Sequence, residues 1–414
     1  MPSSRPLNFL ILGLNYAPEM VGIAVYTTGL AEALVRRGHA VQVVAGKPYY
    51  PTWSVHADFR GGWRRRSVEN GVVLTRVAHY VPAQPSGARR LLHHVSFALF
   101  SLLPMLVTAR RQRPDVVLAV APSLIAAPVV KMAAAMCGAT TWLHIQDFEV
   151  EAAMATGLID SAGVVARAAN WFEGLVIGLF DWVSSISPAM CRKLVEKGVP
   201  TARVTELRNW ADIVAIKPLE APSAYREEWN ISTPHVALYS GNIANKQGID
   251  IVVDAARRLR HRKDLMFVIC GQGPNRSNLE ALAADLDNIL FRDLQPKERL
   301  GDLVGLASVH LLPQIASAAD LVLPSKLANM LASGRPVVVT AAADTGLAAE
   351  VEGCGIVVSP GDNAGFAASI EWLLDNDESR IKLGIAGRLR AEEHWERDVI
   401  VDDFERLLAE HITR

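Results

Sequence analysis

At 414 residues the chain exceeds one ordinary hydrophobic core, and domains of roughly 100–200 residues make two of similar size the expectation. Half of the residues are apolar and 21% are charged, a globular composition, while the formal net charge of -1 excludes a global attraction to nucleic acid. Cys137, Cys191, Cys270 and Cys354 show no CxxC or Cys/His spacing, so neither a disulfide framework nor a zinc site is suggested and a reducing cytoplasm fits.

Taken in chain order, short Val, Ile and Leu runs alternate with helix-length amphipathic segments, the pattern of βα units around parallel sheets. The opening MPSSRPLNFLILGLNYAPEM holds only a short apolar run, read as a first strand and its loop rather than a signal peptide. Strands are expected over 8–13, 40–45, 72–77, 115–120, 140–145 and 182–187. Between His56 and Arg113 lie ten arginines against only Asp58 and Glu69. The run VSFALFSLLPMLVT (95–108) falls short of the ~20 residues that cross a bilayer and contains Pro104. It reads either as a core helix with solvated ends or as a helix lying on an anionic surface. The second reading uses Arg89, Arg90, His93 and His94 before it and Arg110, Arg111 and Arg113 after it.

Periodicity fades over 210–235, where prolines and polar residues gather. The expected division is therefore 1–213, 214–395 and a final amphipathic helix over 396–414 that packs back on either domain. Second-half strands over 235–241, 265–271, 288–293, 309–313, 336–341 and 355–359 echo the first half. Two doubly wound domains facing each other would set the carboxyl ends of both sheets around one deep cleft, where ligands of open α/β sheets bind.

The first loop lacks GxGxxG, which argues against a dinucleotide cofactor, although Gly22 before the first helix lets a phosphate approach the backbone. The loop in LYSGNIANKQGID turns through Gly241 and Gly248 and carries Lys246, without a Walker pattern. In LPSKLANMLASGRPVVV a helix starts near Ser325. Its unpaired N–H groups, the Ser325 hydroxyl and the Lys326 charge together make an anion site; the plainer alternative is an N-cap serine beside a solvated lysine. Two lysines from separate βα loops suit a nucleotide diphosphate leaving group, whose charge grows as its bond to the sugar breaks. TTWLHIQDFEVEAA ends a strand in His144, Gln146, Asp147 and Glu149. Alternation puts His144 and Gln146 on one side and Asp147 on the other.

Together APEMVG, RRGHAVQVV, WLHIQDFEVEAA, RNWAD, YSGNIANKQGID, VICGQGP and LPSKLANMLASGRPVVV, in that order over nearly the whole chain, resemble retaining glycosyltransferase family 4. The resemblance is strongest to the colanic-acid-type fucosyltransferase branch of exopolysaccharide assembly. It implies the α/β GT-B fold, two facing Rossmann-like domains of which the first binds acceptor and the second the nucleotide sugar, GDP-fucose by branch or else a UDP-sugar. Carried over residue by residue, Lys246 matches the lysine that contacts the donor diphosphate, and Asn242 stands where the family has arginine. The paired family glutamates fall on Leu321 and Asn329; Asn329 can still offer one neutral hydrogen bond, and Asp320 is the residue placed to compensate. Base recognition is expected from backbone around LFRDL and GQGP, hence Gly271 and Gly273.

The same resemblance makes Asp147 the first candidate near the reacting carbon and His144 the second. It implies retention without a protein nucleophile, and since no DxD-type site stands out, neither metal nor cofactor is expected. Arg64, Arg65, Arg66, Arg89 and Arg90 suit a lipid-pyrophosphate-linked saccharide at the inner face of the cytoplasmic membrane, solvated loop arginines being the alternative. The protein is then cytoplasmic and peripherally attached. A GT-B-fold nucleotide-sugar epimerase and a degenerate homologue that stabilises a partner enzyme remain as other readings; an NAD-dependent dehydrogenase lacks its glycine fingerprint.

Overall fold

The computed structural model describes residues 5–19, 22–155, 163–243, 247–315 and 325–412. They form two units, Met1–Leu207 with Val401–Arg414, and Arg208–Ile400. Residues Ala211, Ile213 and Ile216 of the polar, proline-bearing connection pack in a core cluster with Leu327, Leu331 and Val339, which ties this stretch to the second unit.

Unit 1 is built on β1 (Asn8–Gly13), β2 (Ala40–Gly46), β3 (Arg64–Glu69), β4 (Val72–Val77), β5 (Val116–Ala121), β6 (Thr140–Ile145), β7 (Trp182–Ser185) and β8 (Val204–Glu206). Their order is β3-β4-β2-β1-β5-β6-β7-β8, parallel throughout except where β3 pairs antiparallel with β4. Every residue of β5 is buried, which is why its sequence VVLAVA shows no alternation. The helices are α1 (Ile23–Arg36), α2 (Gly87–Gln112), α3 (Ala127–Ala135), α4 (Glu149–Ala155), α5 (Val164–Gly178) and α6 (Pro188–Glu196). Across the sheet α1 leads one way, from β1 to β2, whereas α2, α3, α5 and α6 all lead the other. Right-handed crossovers therefore place α1 on one face and the other four on the opposite face.

Two strands were not expected. β3 carries RRR where a loop was read, because an edge strand needs no apolar face and its charges discourage pairing with another chain. Arg76 of β4, counted in the basic stretch, is buried and closes bidentately on Glu69 of β3 at 2.6 and 2.9 Å. That arginine is spent on the fold. The short β8 is too brief to leave a pattern.

Unit 2 holds β9 (His235–Ser240), β10 (Leu265–Cys270), β11 (Ile289–Arg292), β12 (Val309–Leu312), β13 (Val337–Thr340) and β14 (Gly355–Val358), ordered β11-β10-β9-β12-β13-β14 and all parallel. Around it lie α7 (Tyr225–Glu228), α8 (Asp250–Arg258), α9 (Arg276–Leu282), α10 (Leu300–Gly305), α11 (Ser325–Ala332), α12 (Gly346–Val351), α13 (Asn363–Asp375) and α14 (Asp377–His394). The chain then enters α15 (Arg397–His411), whose residues from Val401 onward belong to unit 1. There Phe404 meets Trp142 edge-on at 4.9 Å, His411 stacks on Trp182 at 3.9 Å, and Arg37 reaches Asp402 at 2.7 Å.

Candidate functional site

In unit 2 the carboxyl ends of β9 and β10 run into loops that are zipped together by backbone. Gly241 N–H donates to the Cys270 carbonyl at 2.9 Å, Ile243 N–H to Gln272 at 2.8 Å, and Asn275 N–H back to Ile243 at 3.1 Å. The contact is so close that a Cβ on Gly271 would overlap the Gly241 carbonyl oxygen, and one on Gly273 the Ile243 carbonyl oxygen. The absence of side chains is what lets these loops meet.

Lys326, in the first turn of α11, lies over this seam. Its Nζ donates to the Tyr239 hydroxyl at 3.0 Å and sits 4.3 Å from the centre of that ring, and a Cβ on Gly241 would lie 3.1 Å from it. Tyr239 in turn is 2.7 Å from the Asn242 carbonyl and 2.6 Å from Gln247 Oε1. No carboxylate among the described residues offsets the Lys326 charge, and burial pulls its ammonium down to about 8. Burial likewise raises the Tyr239 phenol. A partly buried cation at a helix start, held among the described residues by a neutral hydroxyl and a ring face, is arranged to receive an anion. Asn329 follows one turn later on the same helix, and Asn242 is exposed beside the seam. Ser325 opens α11, but its side chain, like Lys246, Asp320 and Leu321, lies outside the described residues.

In unit 1, two carboxylates tie together the loops at the carboxyl edge of the sheet. Glu19 accepts from Tyr49 N–H and Tyr50 N–H, both at 2.8 Å, and from the Asn15 amide at 2.8 Å. Glu149 accepts from Ser123 N–H and Leu124 N–H, and burial raises its pKa in spite of them. Asp147 is exposed at the end of β6. His144 lies inside the unit rather than on its surface: Trp142 Nε1–H donates to Ser184 Oγ at 2.8 Å, Ser184 is 2.9 Å from His144 Nδ1, and Gln146 is 3.1 Å from Nε2. Both ring nitrogens are engaged, and burial lowers the imidazole to about 4. The expected sharing of one side by His144 and Gln146 is seen, with that side turned inward. Gly22 caps α1 at φ 60° with open space where a Cβ would be.

Arg64, Arg65 and Arg66 stand exposed on β3, with Arg64 over Trp63 at 4.9 Å and Arg65 over Phe59 at 5.4 Å. Arg89 and Arg90 begin α2, and Arg90 lies over Trp53 at 5.4 Å. Beneath them Tyr49, Trp53, His79, His93 and His94 form one aromatic nest. Burial first lowers His79 to about 3 and His93 and His94 to about 4, aided by His93, His94 and Lys47 at His79, by His94 and Arg90 at His93, and by Arg90 at His94.

With His144 these make four imidazoles that stay neutral in the folded unit far below the ~6.5 at which an unfolded chain takes up the proton. Between those values the unfolded state binds more protons, so unit 1 loses stability as pH falls from about 6.5 toward 4. Glu149 and Glu173, raised by burial, act in the opposite sense and are outnumbered. Calorimetric melts at descending pH should show unit 1, with four such imidazoles, moving before unit 2, which has two: His310, lowered to about 3, and His235, also lowered by burial. Coincident shifts would contradict this.

Among the described residues no cluster of His, Cys, Asp or Glu is arranged to hold a metal ion. Two family descriptions match the sequence: a glycosyl transferase 4-like domain over residues 21–210 and glycosyl transferases group 1 over residues 234–376. The chain is 39% identical over 378 residues to WcaI of Escherichia coli (strain K12), named as a colanic acid biosynthesis glycosyl transferase, covering 89% of this chain and 92% of that one. Among solved structures, sucrose-phosphate synthase from Thermosynechococcus elongatus superposes with TM-score 0.70 at 16% identity, covering 98% of both chains. Alr3699/HepE of Anabaena, in complex with UDP, gives TM-score 0.71 at 12% identity over 98% of this chain and 100% of that one. At such identities the likeness speaks for the fold, two parallel-sheet α/β domains of the GT-B type.

Proposed function

This chain belongs to the glycosyltransferases in which a glycosyl transferase 4-like domain precedes a group 1 domain, and we propose that within that family it moves fucose from GDP-fucose to a lipid-linked exopolysaccharide precursor. The observation that carries the donor half is Lys326, a partly buried cation without a carboxylate partner among the described residues, set at a helix start over a glycine-built seam. A diphosphate supplies the missing counter-charge there. The similarity to WcaI supports an exopolysaccharide acceptor, and the exposed arginines of β3 and α2 suit its pyrophosphate.

The reaction that fits is displacement with retention. The bond between the anomeric carbon and the diphosphate oxygen breaks as the acceptor oxygen bonds to that carbon on the same face, and the acceptor proton passes to the departing phosphate oxygen. Lys326 and the N–H groups of α11 would take up the charge that grows on that leaving group, so the chemistry calls for neither a protein nucleophile nor a metal. Asp147, exposed at the end of β6, is the group proposed to orient the acceptor hydroxyl, in a cytoplasmic protein working at the membrane face.

Calorimetric titration with GDP, UDP, ADP and their sugars tests this. Binding selective for GDP-fucose, with turnover indifferent to EDTA, is the expected result. Selectivity for UDP would discard fucose, loss of turnover restored by Mg²⁺ would discard metal independence, and no binding by folded protein would discard the transferase.

A further inference from the structure

Among the described residues, the outer side of three helices of unit 1 is exposed and apolar. Because α2, α3 and α5 cross the sheet in one direction they lie side by side on one face, and their inner residues, among them Phe97, Met105, Val130, Ala133, Val176 and Ile177, share one core cluster. Their outer sides are apolar as well. On α5, Val164, Ala168, Trp171 and Leu175, followed by Leu179 at its C-cap, recur at i, i+4, i+7, i+11 and i+15, all exposed, with Trp171 at 69%. On α2, Leu92, Leu99 and Leu103 do the same, with Leu99 at 67%, and Met132 of α3 and Met136 at its C-cap fill the position between them. A surface helix of a globular domain ordinarily turns a polar side outward.

We propose that this three-helix face docks on an anionic lipid bilayer, with Trp171 and the leucine rows entering the interface. The inference rests on the reading of a lipid-linked acceptor and assigns it a surface. Charge identifies the occupant. The three helices carry Arg89, Arg90, Arg110, Arg111, Lys131 and Arg167 but a single carboxylate, Glu173, which is turned inward onto Lys197 at 2.5 Å. A chain of net charge -1 thus presents three adjacent helices whose outward charges are all positive. A second copy would bring like charges together, whereas anionic headgroups meet arginines at the rim and acyl chains meet the rows between them. α2 has the length and composition to cross a membrane, but Phe97, Met105 and Ala109 are held in the core, so it lies along the surface.

Flotation of the full chain with vesicles of phosphatidylcholine alone, or with phosphatidylglycerol added, is the test. Wild type should float with the anionic vesicles. Trp171→Ser/Leu175→Ser and, separately, Leu99→Ser/Leu103→Ser should each lower partition by about tenfold or more, with donor affinity and melting as in wild type. A wild type that does not float, or variants that float as well as it does, overturns the proposal. So does a wild-type dimer that the variants abolish without any vesicle binding. If flotation behaves as expected while no nucleotide binds, the transferase reading falls and this surface stands.

Discussion

Replacing Lys326 with methionine lowers affinity for the donor nucleotide by about ten- to a hundredfold and, at the same time, makes ligand-free unit 2 more stable. A hydrogen bond to a charged group contributes ~1.5–3 kcal/mol, which corresponds to that range in affinity. Stability moves the other way because the ammonium is partly withdrawn from water, with only the Tyr239 hydroxyl and ring as partners among the described residues. A cation placed so costs free energy until an anion arrives, and methionine keeps the stem while removing the charge. The pH dependence separates this from a packing effect. Burial lowers the folded Lys326 to about 8, while an unfolded lysine holds its proton to ~10.4. Across that interval the unfolded state holds more of this group's proton, so the Lys326 contribution to ligand-free stability grows with rising pH, against the opposite contributions of Cys270 and Cys354, whose thiols burial raises to about 11, and donor affinity declines as the ammonium is lost. Both contributions should be missing in Lys326→Met, read as the difference from wild type in titrations and melts at several pH values. An unchanged affinity would remove Lys326 from the donor site.

A single methyl group at Gly271 or Gly273 should damage unit 2 by upwards of about 3 kcal/mol. In each case the added Cβ overlaps a backbone carbonyl, of Gly241 or of Ile243, which cannot swing aside as a side chain would. To admit it the seam must part, and the bonds from Gly241 to Cys270 and from Ile243 to Gln272 go with it. Gly22→Ala is the matched control in unit 1. There φ is 60° and ψ -142°, but the Cβ meets no atom of the described residues within 4 Å, so only the backbone penalty of this glycine-favoured region, about 1–3 kcal/mol, applies. Urea unfolding of the three variants should rank them accordingly, with donor binding lost in Gly271→Ala. A Gly271→Ala protein as stable as Gly22→Ala would mean the loops are not held this closely.

Strands buried on both faces were legible because burial writes an uninterrupted apolar run, and 8–13 and 115–120 fall on β1 and β5 in this way. β3 was illegible for the opposite reason, since an edge strand answers to solvent and its arginines resemble a loop. Lys326 could be found from the grammar of a helix start. Tyr239 could not, because a tyrosine inside a strand reads as core until another element lays a cation over its ring. Period two correctly paired His144 with Gln146, but alternation names the two sides without saying which is covered. The outer row of α5 shows the complement: its spacing is visible in the sequence, its exposure only in the fold.

The return of α15 to unit 1 makes that unit discontinuous in the chain. A ribosome works in one direction, so the whole of unit 2 is synthesised before Val401, Phe404 and Leu408 exist to cover the Trp142 side of the first sheet. Until then the earlier half of the protein waits with one flank open, and the part made first is the part completed last.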